Sequence, residues 1–228
     1  MLIATLASVA CAILVVLLVL AERKDDVRGR FRWKPMASVA FLLVPLAGGG
    51  LTDGVDQRLA MWIIVGLALG AVGDVALMFE SERGFLGGLV AFLLGHLAYV
   101  IGLARVVAPA HWFDGTMGVL APVTVVVSLA ILAWLWRRLG PMRIPVIVYV
   151  AVITTMAIGG LAVSVIADDS LAIPRSRHLL TAGAIAFFAS DLAVAREKFV
   201  GRDPWNRTLG LPVYYGAQLL FGWALVVR

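Results

Sequence analysis

Long apolar runs separated by short polar breaks dominate the chain. About 20 predominantly apolar residues cross a bilayer. On that ruler eight runs qualify: 2–21, 34–51, 58–79, 85–107, 115–136, 143–166, 177–195 and 208–227. The pattern predicts a basic loop from Glu22 to Trp33, with Pro35 in the first turn of the second helix, where its missing N–H costs nothing. A tight polar turn, Glu80-Ser81-Glu82-Arg83-Gly84, joins the third run to the fourth, and Trp134 and Trp136 read as interfacial anchors. No loop is long enough to fold alone. The expected fold class is therefore all-α: an integral membrane bundle of eight transmembrane helices in one transmembrane domain, residues 1–228.

Composition agrees. Of 228 residues, 62% are hydrophobic and 14% charged, against roughly 45–50% and about 25% in a soluble domain. The first run lacks a basic leader and exceeds the apolar core of a signal peptide, so it reads as a membrane helix. The net charge of +5 is a topology signal here and gives no reason to expect a nucleic-acid partner. Fourteen of the 19 lysines and arginines fall in the loops after the first, third, fifth and seventh runs, and four in the intervening loops. The positive-inside rule then puts the odd loops in the cytoplasm and both termini outside, at the cell membrane. Cys11 is the single cysteine, and His96, His111 and His178 are scattered. Neither a disulfide nor a metal site is expected, and no cofactor is implied.

Two carboxylates interrupt this pattern. Asp74 follows Gly73 near the end of the third run, and Asp191 follows Ser190 near the end of the seventh. An ionisable residue at a membrane-helix centre costs about 2.5–3.5 kcal/mol on insertion scales and marks a functional site by default. The third and seventh runs point the same way, and each Asp lies ~6–8 Å before the cytoplasmic end of its run, at about 1.5 Å per residue. Gly66, Gly70 and Asp74 recur every four residues, so Asp74 shares a face with small residues that mark helix contact. Ala184, Phe187 and Asp191 share a face of the seventh helix, and Gly88, Phe92, His96 and Tyr99 one of the fourth. Tyr214 and Gln218 lie four apart in the eighth, with Tyr215 three before Gln218. These polar groups must find partners inside the bundle. Asp74-Val-Ala-Leu followed by Phe85-Leu-Gly is echoed by Asp191-Leu-Ala-Val followed by Phe199-Val-Gly, which suggests a parallel 4+4 pseudo-repeat.

The carboxylates also admit other readings: structural groups hydrogen-bonded to His96, Tyr99, Tyr215 or Gln218, or the proton or ion site of a coupled transporter of a small or lipidic substrate. Ser190 does not share a helix face with its neighbour Asp191, which argues against Ser-His-Asp chemistry.

The chain resembles the YhhN-like family of membrane proteins. The shared motifs are Lys34-Pro35, Gly73-Asp74-Val-Ala-Leu-Met78, and Phe85 with Gly88, Phe92, Gly95-His96 and Tyr99. They continue with Pro145 and Tyr149, then Gly183-Ala184 with Phe187, Ser190-Asp191 and Ala195, and finally Tyr214-Tyr215-x-Ala217-Gln218. Val194 stands where leucine is expected, a conservative departure. The resemblance implies an eight-helix hydrolase that cleaves the vinyl ether of a lysophospholipid, lysoplasmalogen. The products would be a fatty aldehyde and glycerophosphocholine or glycerophosphoethanolamine. It implies Asp74 and Asp191 as catalysts, with no metal.

Vinyl ethers are acid-labile, and their hydrolysis passes through an oxocarbenium ion, as glycoside cleavage does between paired carboxylates. Such a reaction needs one carboxylic acid to protonate carbon and one carboxylate to stabilise the cation or activate water. The expectation is a carboxylate pair that shares a water or proton in a cytoplasm-facing cavity, with the lipid entering from that leaflet. Lys34 is a candidate phosphate ligand, and His96, Tyr99, Ser190, Tyr214, Tyr215 and Gln218 are candidate pocket-lining residues.

Overall fold

Membrane helices form because lipid offers backbone groups no partner, so each segment must satisfy its own. The structure, a computed structural model, describes residues 1–52, 56–79, 81–166, 176–201 and 203–227. Among them lie eight α-helices: α1 (Leu2–Arg23), α2 (Val27–Gly48), α3 (Gln57–Ala76), α4 (Glu82–Val106), α5 (Met117–Leu135), α6 (Arg143–Ile166), α7 (Ser176–Phe199) and α8 (Pro204–Ala224). No strand occurs among the described residues.

Helix α2 departs most from expectation. The stretch read as a basic loop forms the first turns of the helix, which begins at Val27. Asp26 caps it, accepting a hydrogen bond from the Gly29 backbone at 3.0 Å. Arginine is a good helix former, so the basic residues extend the helix. Pro35 and Pro45 therefore both lie inside α2, not at its start. Ser81 similarly caps α4 through the Gly84 N–H at 3.0 Å, which shortens the expected polar turn; Glu80 lies outside the described residues. Helix α3 ends at Ala76, whereas α7 continues to Phe199, beyond the end read from its apolar run.

Six helical segments are long and apolar enough to cross a membrane: α1, α3, α4, α5, α6 and α7, with α5 and α6 counted together with their adjoining 3-10 turns. Helices α2 and α8 have 22 and 21 residues but fall outside that group. They carry Arg28, Arg30, Arg32 and Lys34 in α2, and Asn206, Arg207 and Gln218 in α8.

The closest neighbours are α1 with α2, α3 with α4, and α7 with α8. Helix α6 bridges α4 and α7, and α8 packs against α1, α2 and α3. Glycine permits two of these approaches. A β-carbon at Gly66 would overlap the Tyr99 ring of α4, and one at Gly70 would overlap the Gln218 amide of α8. Helix α5 packs on α6 and presents Val119, Val123, Val126 and Leu129 outward, where they would meet lipid.

Candidate functional site

Asp74 sits in the last turn of α3, buried among groups from α2 and α8. Its Oδ2 accepts hydrogen bonds from Ser38 Oγ at 2.7 Å and Tyr214 Oη at 2.9 Å. Lys34 Nζ stands 3.6 Å from Oδ1. Lys34 and Ser38 are four apart on α2, so one helix face supplies both a cation and a donor. A relay leads away from the carboxylate. Tyr99 Oη donates to Gln218 Oε1 at 2.6 Å, and Gln218 Nε2 donates to Tyr214 Oη at 3.0 Å. Tyr215 Oη donates to the Lys34 carbonyl at 3.3 Å and ties α8 to α2.

Asp191 has a separate environment. Tyr149 Oη on α6 donates to Asp191 Oδ2 at 2.6 Å, and His96 Nε2 on α4 lies 3.6 Å from the same oxygen. His96 is buried. Its Nδ1 donates to the Phe92 carbonyl at 2.6 Å, and its Nε2 has no hydrogen-bond partner among the described residues. A carbonyl only accepts, so the proton sits on Nδ1 and Nε2 is left as the unprotonated nitrogen that faces Asp191. Helix α7 runs eight residues past Asp191, so this carboxylate lies about 12 Å from the helix end, at roughly 1.5 Å per residue.

The two partner sets have a regular relation. Asp74 on α3 draws its partners from α2 and α8, and Asp191 on α7 draws its own from α6 and α4. Advancing each helix label by four maps one set onto the other.

No hydrogen bond joins the two carboxyl groups among the described residues. Aromatic rings stand between their clusters. Phe187 lies 4.5 Å from His96 and 5.2 Å from Tyr214, centroid to centroid, and Phe92 lies 5.7 Å from Tyr214. Helices α3 and α7 each pack chiefly on others, α3 on α4 and α7 on α8. Both carboxylates nonetheless line one cavity of about 760 Å³. One wall is apolar, formed by Ile131, Leu135, Val146, Val150 and Ile153 of α5 and α6; another, at the helix ends, carries Glu22, Arg30, Glu197 and Arg207. The volume lies within the range of small-molecule sites, roughly 300–1,000 Å³.

The other sequence candidates fall in several places. Tyr214, Ser190 and Lys34 line the cavity. Lys34 Nζ faces the Asp74 carboxyl within that lining. Ser190 Oγ donates back to the Phe187 carbonyl at 2.8 Å, so it is not poised as a nucleophile. Tyr99, Tyr215 and Gln218 are buried behind the cavity wall; Tyr99 and Gln218 form the relay to Tyr214, and Tyr215 bonds the Lys34 carbonyl. Ser38 escaped sequence reasoning, although its spacing from Lys34 was a usable signal. Tyr149 stands in the sequence only as part of a motif; the run 143–166 also holds Thr154, Thr155 and Ser164, so no local signal singles it out.

Comparison with known proteins places this architecture. The YhhN family model matches residues 29–225. The chain is 30% identical over 165 residues to the protein named Lysoplasmalogenase TMEM86A from Bos taurus, which is 72% of this chain and 65% of that protein. A protein named Lysoplasmalogenase from Mycobacterium tuberculosis is 29% identical over 183 residues, 77% of this chain and 63% of its own length. Lysoplasmalogenase TMEM86B from Rattus norvegicus is 28% identical over 218 residues, 93% and 78% respectively. The matches thus span less than two thirds of the first two relatives. No solved structure matches the chain. The family match runs from Gly29 to Leu225 and encloses both carboxylate clusters, so the chain belongs to the YhhN family.

Proposed function

We propose that this protein is a membrane hydrolase that cleaves the vinyl ether of a lysoplasmalogen to a fatty aldehyde and a glycerophospho-alcohol. One observation carries the reading: two carboxylates with different partners face a single, mainly apolar cavity. Relatives named lysoplasmalogenase support the substrate class.

The two clusters divide the chemistry. Asp191 is the proton donor, since His96 Nε2 and Tyr149 provide an exchange partner and a fixed orientation. Its carboxyl delivers a proton to the β-carbon of the vinyl ether, leaving an oxocarbenium ion. Asp74 carries negative charge against Lys34, with two hydroxyls donating to it. It stabilises the cation and takes a proton from the water that adds to the α-carbon. As the hemiacetal collapses, Asp191 takes the proton of its hydroxyl while Asp74 gives its proton to the leaving glycerol oxygen, which releases aldehyde and alcohol and returns both carboxyls to their starting states. One water is consumed and charge balances. A correctly placed general acid contributes about 10²–10⁴-fold.

The alkenyl tail lies along the apolar wall of α5 and α6, and the head group faces the helix ends. In the positive-inside orientation those ends are cytoplasmic, so substrate enters from the inner leaflet. The test offers purified protein a lysoplasmalogen and an acyl lysophospholipid with the same head group. Aldehyde from the first and no fatty acid from the second is the expected result. Fatty acid release, or no aldehyde, would overturn the reading.

A further inference from the structure

Four charged side chains from four helices meet where α1, α2, α7 and α8 begin or end. Arg207 Nε donates to Glu197 Oε1 at 3.0 Å, and its Nη1 is hydrogen-bonded to Glu22. Arg30 Nε lies 3.7 Å from Glu22 Oε1. Asn206 Nδ2 donates to Glu197 Oε2 at 3.3 Å. All five side chains line the same cavity as the two aspartates. They are more buried than surface ion pairs usually are: the Glu22, Arg30 and Glu197 side chains are 8%, 9% and 19% exposed.

We infer that this Glu22–Arg30–Glu197–Arg207 collar is the head-group site, and that it selects a zwitterionic phosphate ester. The inference rests on the hydrolase reading above. The first argument is charge. Two cations and two anions alternate around the collar and leave it neutral while presenting both signs, which complements a phosphate joined to an ammonium and disfavours a net anion. Guanidinium groups suit the phosphate through paired donors, and the glutamates suit the ammonium.

The second argument is distance. Glu197 lies six residues beyond Asp191 on α7, about 9 Å. Arg207 precedes Tyr214, which donates to Asp74, by seven residues, about 10 Å along α8. In a lysoplasmalogen seven bonds separate the β-carbon from phosphorus, or about 8–9 Å when extended, given bonds of about 1.5 Å and angles near 111°. A substrate anchored at the collar therefore presents its vinyl ether at the level of the carboxylates.

The third argument is connectivity. Arg207 is held by carboxylates from α1 and α7, so it is oriented before any ligand arrives and loses little freedom on binding.

The experiment compares wild type and Arg207→Gln on alkenyl-glycerophosphoethanolamine and on alkenyl-glycerol, which has no phosphate. For the phosphorylated substrate KM is expected to rise about tenfold or more, as for loss of a charge-assisted hydrogen bond, with kcat within about threefold. Kinetics on alkenyl-glycerol are expected to stay as they are. Equal changes on both substrates, or an unchanged KM, would overturn the inference. If wild type cleaves neither substrate, binding of the alkyl-ether analogue of the phosphorylated substrate separates the two ideas. A Kd raised about tenfold in Arg207→Gln keeps the collar while the chemistry fails; an unchanged Kd, or no binding by wild type, overturns the collar itself. Where Arg207→Gln does not fold, Glu197→Gln carries the test. It is expected to weaken the ethanolamine ligand and strengthen the corresponding phosphate monoester, and an unshifted ratio between the two would overturn the inference.

Discussion

His96 Nε2 faces Asp191 Oδ2 across 3.6 Å while the opposite ring nitrogen is tied to the Phe92 carbonyl. The imidazole is thereby fixed in one orientation with one exchangeable position, aimed at the carboxylate. His96→Phe keeps the aromatic packing against Phe187 and Tyr149 but removes that position. The expected outcome is a kcat reduced about tenfold or more with KM little changed, measured by aldehyde release.

Tyr149 is the other partner of Asp191. Tyr149→Phe deletes a 2.6 Å hydrogen bond and leaves the ring against His96. Losing the group that orients the proton-donating carboxyl is expected to lower turnover about 10–100-fold, while stability falls by no more than the roughly 0.5–1.5 kcal/mol of a neutral hydrogen bond. Steady-state kinetics beside a melting curve checks both halves.

Lys34 neutralises Asp74 in a buried setting. Removing one partner of a buried ion pair costs about 3–5 kcal/mol, because the other charge is left stranded. Lys34→Met is therefore expected to be strongly destabilised in detergent. Adding Asp74→Asn, which removes the stranded charge, is expected to recover most of that stability without restoring activity. Melting temperatures of the two single variants and the double variant measure the coupling.

Ser190 separates carboxylate chemistry from serine chemistry. Its hydroxyl is bonded back to its own helix at 2.8 Å. Ser190→Ala is expected to keep activity within about threefold, whereas loss of a covalent nucleophile costs several orders of magnitude. Aldehyde release by the purified variant decides.

Gly66 tests the packing that places Tyr99 and its relay. Its missing side chain leaves room for the Tyr99 ring. Gly66→Leu forces α3 and α4 apart and is expected to cost about 1–3 kcal/mol or more, read as a lower melting temperature.

Apolar run lengths placed the eight helices of the described residues, six of them long and apolar enough to cross a membrane, and spacings of three and four turned Asp74, His96 and Tyr99 inward, because membrane segments satisfy their own backbone and leave polar side chains to seek the interior. Helix boundaries were legible only where composition changed with structure. At α2 it does not: the charge of Arg28, Arg30 and Arg32 reads as a loop, whereas Asp26 already caps a helix there. The same residue run hid the cavity collar, since Glu22 and Arg207 lie 185 positions apart and no local pattern joins them.

The matched depth read from the apolar runs does not hold along the helices, since Asp74 lies two residues from the end of α3 and Asp191 eight from the end of α7, and lateral neighbours were not readable either. Asp74 and Asp191 come to one cavity without α3 and α7 being close partners, because α4, α6 and α8 supply the intervening groups. The expected direct sharing of a proton is replaced by two clusters, one built on Lys34 and one on His96. Ser38 and Tyr149 owe their places to helix packing, which spacing within one helix does not encode.

The central claim is that both cavity carboxylates are required for vinyl ether cleavage. Its most direct measurement is aldehyde release from lysoplasmalogen by Asp74→Asn and Asp191→Asn, each shown to be folded by its elution profile and melting curve. Both variants are expected to lose about 10²–10⁴-fold in kcat. Near wild-type turnover in either folded variant would contradict the claim.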